Sequence, residues 1–500
     1  MNNQIEGAMN MKNVQNMGKA IVIGGSMAGL LTARVLSDYY EEVLVVDKDE
    51  FPEIPTDRAG TPQAFHPHRF TMRGKMITDR FFPGYEEELV ALGAPSSLNK
   101  TIHNMNQYGS MIGQYPRNDI KFSRAALEWV LRERVKAIAN VQFLPKHDVL
   151  GLLTTPDQGA VTGIQVRDRE AGGQEKTLTA DMVFDTSGRQ SKLAQWLEDL
   201  GYEVPKPDLL KVALGYSTRR YKVPSHLTNL IEKWDVINIA GQPANGTFTG
   251  VFSFIENNIA EVLLYRPGGH YPPTNADEYE QAVAQLPSPL IAEVLQELEP
   301  LTAPRGYRVP ELYRHHFEQM ERWPSGLLVL GDAFCTYDPI FGQGMTIAAI
   351  EAEMLEVCLR EQRNDPKPHF EQSVLHKLQD VIEPAWWLNC ANDLQWEGVT
   401  YEGLEPLKGI DFAKKYMALH LKHATTHQNF QLFGLYWAVN TLTFSPREII
   451  NPQVVTTVLT ASDEGQQLLA ELSQQGQPLE KVLDQLIPSF SGASFMSMSK

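Results

Sequence analysis

Lys19-Ala20-Ile21-Val22-Ile23-Gly24-Gly25-Ser26-Met27-Ala28-Gly29 passes from a short apolar run through a glycine turn into residues of helical character. Lys19 to Ile23 predicts a buried strand and Met27 to about Tyr39 a helix; Val43 to Val46 predicts a second strand, ending at Asp47. Strand, turn, helix, strand is the opening unit of a parallel sheet with a right-handed crossover. Gly24 permits the tight turn and Gly29 a close approach of helix to sheet. Between them the amides of Gly25, Ser26, Met27 and Ala28, with the positive end of the helix, favour a pyrophosphate. Ser26 occupies the place of the usual second glycine. Asp47, with Lys48 beside it, lies 18 residues beyond Gly29 at a strand end, where a carboxylate accepts hydrogen bonds from a ribose. Together these residues predict a dinucleotide site.

Outward from this unit the pattern changes several times. The Pro- and His-rich stretch Phe51 to Phe70 predicts a loop crossing the protein. Ser123 to Ala139 predicts a helix capped by Ser123, and short strand-like runs follow at Val141 to Leu144, Leu150 to Thr154, Val161 to Val166 and Thr177 to Phe184. Strand-like runs between prolines then predict a separate antiparallel sheet, and most of the chain after Arg360 reads as helix up to about Leu486, with a loose tail from Pro488. The fold class expected is α/β: a Rossmann-like cofactor domain with a parallel sheet, an antiparallel β substrate domain and a C-terminal helical region. The expected division is a disordered leader over 1–17, a discontinuous cofactor domain over 18–60, 115–201 and 305–360, a substrate domain over 61–114 and 202–304, and the helical region over 361–500.

A second site separates FAD from NAD. Leu328-Val329-Leu330-Gly331-Asp332-Ala333, followed by Asp338-Pro339-Ile340-Phe341-Gly342-Gln343-Gly344-Met345, resembles the second FAD motif of flavin monooxygenases of the para-hydroxybenzoate hydroxylase fold. The resemblance implies that Asp332, after Gly331, binds the ribityl chain, and that Pro339 to Met345, with Gly342, Gln343 and Gly344, passes beside the isoalloxazine ring. A helix beginning near Met345 would turn its positive end toward the charge that reduced flavin develops. Asp185-Thr186-Ser187-Gly188-Arg189 resembles the middle motif of the family, which serves both FAD and NAD(P)H; its departure from Asp-Gly leaves open direct use of NAD(P)H or supply by a partner flavin reductase. Arg124 resembles an arginine placed near the flavin phosphates or ribityl chain. Pro62-Gln63, His66 and His68 resemble a loop of a branch containing epoxidases and hydroxylases of polyketides and terpenoids, as does Pro384-Ala385-Trp386-Trp387 with Asn392-Asp393. The resemblance runs from about Gly18 to Ala352, and more weakly beyond.

The function this implies is monooxygenation: one oxygen of O₂ passes from a flavin hydroperoxide to a small apolar organic substrate, by epoxidation or hydroxylation. His66 is the catalytic candidate, with Arg219 a second for proton transfer; no metal is expected. Two alternatives stand beside it: a flavin-dependent reductase of prenyl double bonds, and a flavoprotein that sequesters an apolar ligand without turnover. A halogenase is disfavoured by the lack of a W-x-W-x-I-P segment.

Composition narrows the partners. Against 44 Lys and Arg stand 61 Asp and Glu, and the net charge of −17 opposes nucleic acid and anionic membranes at long range. Three cysteines without a C-x-x-C pair suggest neither disulfide framework nor zinc site, and point to a reducing cytoplasm. No run of about twenty apolar residues predicts a membrane span. The aromatic-rich stretch Phe430 to Phe444 reads as a core helix, a cavity wall or a membrane-touching surface.

Overall fold

A computed structural model describes residues 17–170, 172–474 and 476–496. The expected leader lies outside them, except that Met17 already belongs to the first strand. Strand β1 (Met17–Ile23), helix α1 (Met27–Leu36) and strand β2 (Tyr40–Val46) form the predicted unit; helix α2 (Arg124–Lys136) leads to β3 (Val141–Leu144), then come β4 (Met182–Asp185), β5 (Leu327–Val329) and helix α3 (Gly344–Asn364). The strands pair in parallel in the order β5-β4-β1-β2-β3. Ala20 to Ile23 are buried, in register with Val43 to Val46 on one side and Met182 to Asp185 on the other. A strand covered on both faces has no need of alternation, hence the unbroken apolar runs.

The close approach at the turn is measurable. Gly24 takes φ +100°, and a Cβ on Gly29 would lie 1.8 Å from the Gly24 carbonyl oxygen, so no larger residue fits at position 29.

One expected strand divides in two. Thr177 to Phe184 breaks at Ala180-Asp181, where Asp181 Oδ2 accepts from the Lys19 amide at 2.7 Å and turns the chain. Glu175–Thr179 completes a three-stranded antiparallel sheet with His147–Thr154 and Val161–Asp168, while β4 enters the parallel sheet.

The second large sheet has eight strands and is mostly antiparallel, with Leu214–Lys222, Ile259–Arg266 and Thr249–Ile255 at its centre. Thr101–Asn106 joins it by parallel pairing to Trp234–Ile239. One face packs Ile237, Phe252 and Val262 on helices Ala276–Ala284 and Leu290–Leu295. The other presents Tyr216 and Leu263 to the parallel-sheet domain.

Helices α4 (Phe370–Asp393), α5 (Ile410–Thr426) and α6 (Phe430–Asn440) open the C-terminal region. Trp386 and Trp387 are buried in the packing of α4 and line no part of the cavity described below. Residues 488–496 of the tail, expected to be loose, are packed, and 497–500 lie outside the described residues: Phe490 packs edge-on against Trp387, Ser494 Oγ donates to the Val381 carbonyl at 2.9 Å, and Phe495 is buried. Its two phenylalanines supply the apolar contact that pins it. Helix α6 packs Phe433, Tyr436 and Val439 inward and leaves Phe430 exposed. No helix among the described residues is long and apolar enough to cross a membrane.

Candidate functional site

A cavity of about 560 Å³ runs between the two large sheets and is lined by both glycine-bearing segments. At one end are Asp47 and Lys48, with Val149, Leu150 and Arg169. In the middle are Gly24, Ser26, Met27, Ala28 and Arg124. At the far end stand Gly331, Asp332, Pro339, Gly342, Gly344 and Met345, facing His66, Tyr216 and Tyr307. Thirteen of the predicted cofactor residues therefore meet along one groove.

The other four stand behind its wall. Gly25 donates its amide to Asp47 Oδ2 at 2.7 Å and Gly29 packs beneath the turn. Asp185 is fully buried, accepting from the Ser187 amide at 2.9 Å and the Ser191 hydroxyl at 2.5 Å, so it shapes the middle motif from within. The Gln343 side chain turns away from the groove: its Nε2 donates to the Asn440 carbonyl and its Oε1 accepts from Asn389 Nδ2.

Around Asp47 one guanidinium organises three acids. Arg58 reaches Asp49 Oδ2 at 2.6 Å, Glu128 Oε1 at 2.7 Å and Asp47 Oδ1 at 3.4 Å. Burial pushes Asp47 upward, against the pull of Arg58 and the amides of Asp49 and Gly25. Burial also works upward on Glu128, but Arg124 and Arg58 outweigh it and hold that carboxyl at about 2. Arg124 spans Glu128 Oε2 at 2.8 Å and Ser26 Oγ at 2.6 Å, which fixes it at the mouth of the first turn of α1.

Two helix N-termini open on the groove. Neither Ser26 before α1 nor Gln343 before α3 caps its helix with a side chain, so amides of both first turns remain for a ligand. A Cβ on Gly344 would meet nothing within 4 Å, because the groove lies there. No described residue donates a hydrogen bond to the Asp332 carboxylate; burial raises its pKa, countered by Arg189 and Arg124. An uncapped helix end for a pyrophosphate, an unsatisfied carboxylate for hydroxyls and a second helix end for a ring that gains negative charge fit one extended dinucleotide such as FAD.

On the aromatic wall, His66 Nδ1 is 2.8 Å from Thr218 Oγ1, and its ring stands edge-on to Tyr216 with centroids 4.5 Å apart. Burial, then His68 and two arginines, lowers its pKa to about 3, so the imidazole is neutral. His68 is likewise lowered to about 3, chiefly by burial; its Nδ1 meets the His66 carbonyl at 2.8 Å. Arg219 is elsewhere, bound to Glu280 at 2.6 Å and outside the groove.

A family model described as "FAD binding domain" matches residues 17–364. The chain belongs to this FAD-binding family. Among proteins similar to this flavoprotein, Protein Rv3254 of Mycobacterium tuberculosis is 30% identical over 399 residues, 77% of this chain and 82% of that one. Squalene epoxidase 4 of Arabidopsis thaliana is 22% identical, over 73% of this chain and 64% of its own. The structure of the flavin-dependent brominase Bmp2 superimposes with a TM-score of 0.60 over 91% of this chain and 98% of that chain at 13% identity, a likeness of fold. The flavoprotein thus has the para-hydroxybenzoate hydroxylase type of fold, in a family of FAD-dependent monooxygenases and oxidoreductases.

Sequence reasoning missed Arg58, Arg189, Tyr216 and Tyr307. Arg58 sits in a loop with no local signal. Arg189 lies inside a quoted motif but acts on Asp332 across the fold, and the tyrosines become neighbours only through sheet register, which pairs Tyr216 with Tyr307.

Proposed function

We propose that this flavoprotein is a monooxygenase that places one oxygen atom of O₂ on a small, largely apolar organic molecule, by epoxidation or hydroxylation. The observation that carries the reading is the aromatic wall: Tyr216 and Tyr307, with centroids 5.4 Å apart, meet His66 in the cavity that Pro339, Gly342, Gly344 and Met345 also line. Bound FAD supplies two-electron reduction and the activation of O₂.

The tasks of the chain are binding, exclusion of water and placement of a proton. Tyr216 and Tyr307, with Leu263 and Val309, offer an apolar surface to the substrate and keep water from the flavin edge. With Thr218 as the donor to His66 Nδ1, the imidazole would carry its proton on Nε2, from which it could donate into the cavity that it lines. Electrons come from NAD(P)H, taken directly or through a partner reductase, in the cytoplasm.

The test exposes reduced, FAD-loaded protein to ¹⁸O₂ with a panel of apolar alkenes and aromatics. One labelled oxygen per product, without a halide requirement, is expected. Saturation of a prenyl double bond without O₂ would replace this reading with the reductase. Retained flavin with no turnover and no acceleration of NAD(P)H oxidation, with or without a reductase, would leave a binding protein.

A further inference from the structure

The flavin-side loop is held from behind by two carboxyls that face each other. Asp338, which precedes Pro339, and Asp393, at the end of α4, are 0% and 1% exposed. Asp338 Oδ1 accepts from the Ile340 amide at 2.9 Å. Its Oδ2 and both oxygens of Asp393 meet no donor among the described residues apart from the opposing carboxyl. Two ionised carboxylates in contact in a dry site repel strongly; a proton between them turns that repulsion into a hydrogen bond.

Among the described residues the surroundings offer no other neutralisation. Tyr216 and Tyr265 from the large sheet and Cys390 on α4 are the titratable groups facing the pair, each raised by burial. Among the described residues no cation lowers either acid; burial raises Asp338, and burial with the charge of Asp338 raises Asp393. The same loop has two further ties to α4 through one side chain: Asn389 Oδ1 accepts from the Asp338 amide at 2.6 Å, and Asn389 Nδ2 donates to Gln343 Oε1 at 2.6 Å. The acid pair is therefore the one titratable fastening among three.

We propose that Asp393 is a positioning residue for the cofactor: with Asp338 it forms an acid pair that holds at least one proton while the loop is closed and loses it when the loop opens, which ties release of FAD to pH. The inference rests on the placement of the flavin against Pro339 to Gly344. Opened to water, each acid ionises near its ordinary value of about 4. The closed state is fully favoured below that value and loses ground as pH rises toward the raised one, because opening then releases a proton. For each proton released, the opening equilibrium grows about tenfold per pH unit inside that window.

FAD release from loaded protein is read as recovery of flavin fluorescence after dilution into a flavin trap, from about pH 5 to about pH 8. The wild type is expected to release FAD about tenfold faster per pH unit. In Asp393→Asn the amide donates to Asp338 without a titrating proton, and the slope is expected to fall below half; Asp338→Asn does the same from the other side. A flat wild-type profile overturns the proposal whether or not the variants fold. A full slope retained in either variant assigns the proton elsewhere, to Glu261 or Glu351, which burial raises to about 7 and about 8, and overturns it too. Protein that takes up no FAD at any pH would remove the cofactor placement itself.

Discussion

His66 Nδ1 lies 2.8 Å from the hydroxyl of Thr218, and this bond fastens the loop after the second parallel strand to the sheet that forms the opposite wall of the groove. Thr218 is fully buried, so the bond has no water to replace it. Thr218→Val should leave an imidazole nitrogen without a partner at a cost of about 1–3 kcal/mol. The expected result is a fall of roughly tenfold in kcat/KM with unchanged flavin content, read by steady-state kinetics on a substrate found with ¹⁸O₂.

The same histidine makes a prediction about pH. Burial lowers its pKa to about 3, so it is neutral above that value and gains charge only in strong acid. The kcat/KM profile should therefore lack an inflection near the ordinary histidine value of about 6.5. An acid limb there that disappears in His66→Gln would contradict the buried, neutral imidazole.

Asp332 is the carboxylate in the groove that no described residue satisfies. Asp332→Ala should weaken FAD binding by roughly ten- to a hundredfold, in line with about 1.5–3 kcal/mol for a hydrogen bond to a charged group. The ratio of flavin to protein absorbance after gel filtration, with a titration of FAD fluorescence, measures it. Full flavin content in the variant would move the ribityl contact to another residue.

Gly29 tests the turn. Because an added Cβ would lie 1.8 Å from the Gly24 carbonyl oxygen, Gly29→Ala must push α1 away from β1. Core overpacking costs about 1–3 kcal/mol, and backbone displacement more. Colourless protein of lowered Tm is expected, by thermal melt and absorbance.

Arg58 tests the acid cluster. Arg58→Met leaves Asp47 and Asp49 without their cation and Glu128 with Arg124 and Arg132 alone. Breaking buried pairs in this way costs about 3–5 kcal/mol. Glu128 sits at about 2, below its ordinary range, so its stabilising share is present above about pH 4 and is lost as pH falls toward 2. In Arg58→Met the acid limb of stability, followed by circular dichroism, should begin at higher pH.

What can be read in the sequence is what local geometry dictates. Gly24 to Gly29, Asp47 and the Gly331 to Met345 stretch are legible because turns, strand ends and helix starts are written in neighbouring residues. The Ser123 cap is legible for the same reason, and its hydroxyl accepts from the Ala126 amide at 3.1 Å. The division of Thr177 to Phe184 is not, since it depends on Asp181 meeting Lys19 from another part of the chain. Nor does any local pattern tell that Gln343 turns inward to Asn389 and Asn440, or that Phe490 and Phe495 anchor the tail. Tyr216 and Tyr307 occupy ordinary strand positions and become a wall only once the sheet aligns them.

The parallel sheet holds one more consequence, in the order of synthesis. Strand β4 ends at Asp185, yet the neighbour that covers its outer edge, β5, begins at Leu327. While a ribosome builds the intervening residues, the nascent polypeptide carries an open row of amides and carbonyls along β4 and half of a cofactor cradle. Such an edge pairs readily with other chains. Premature stops before Leu327 should therefore yield aggregated, colourless fragments, whereas stops beyond Asn364 leave the sheet closed and both helix ends of the cradle in place.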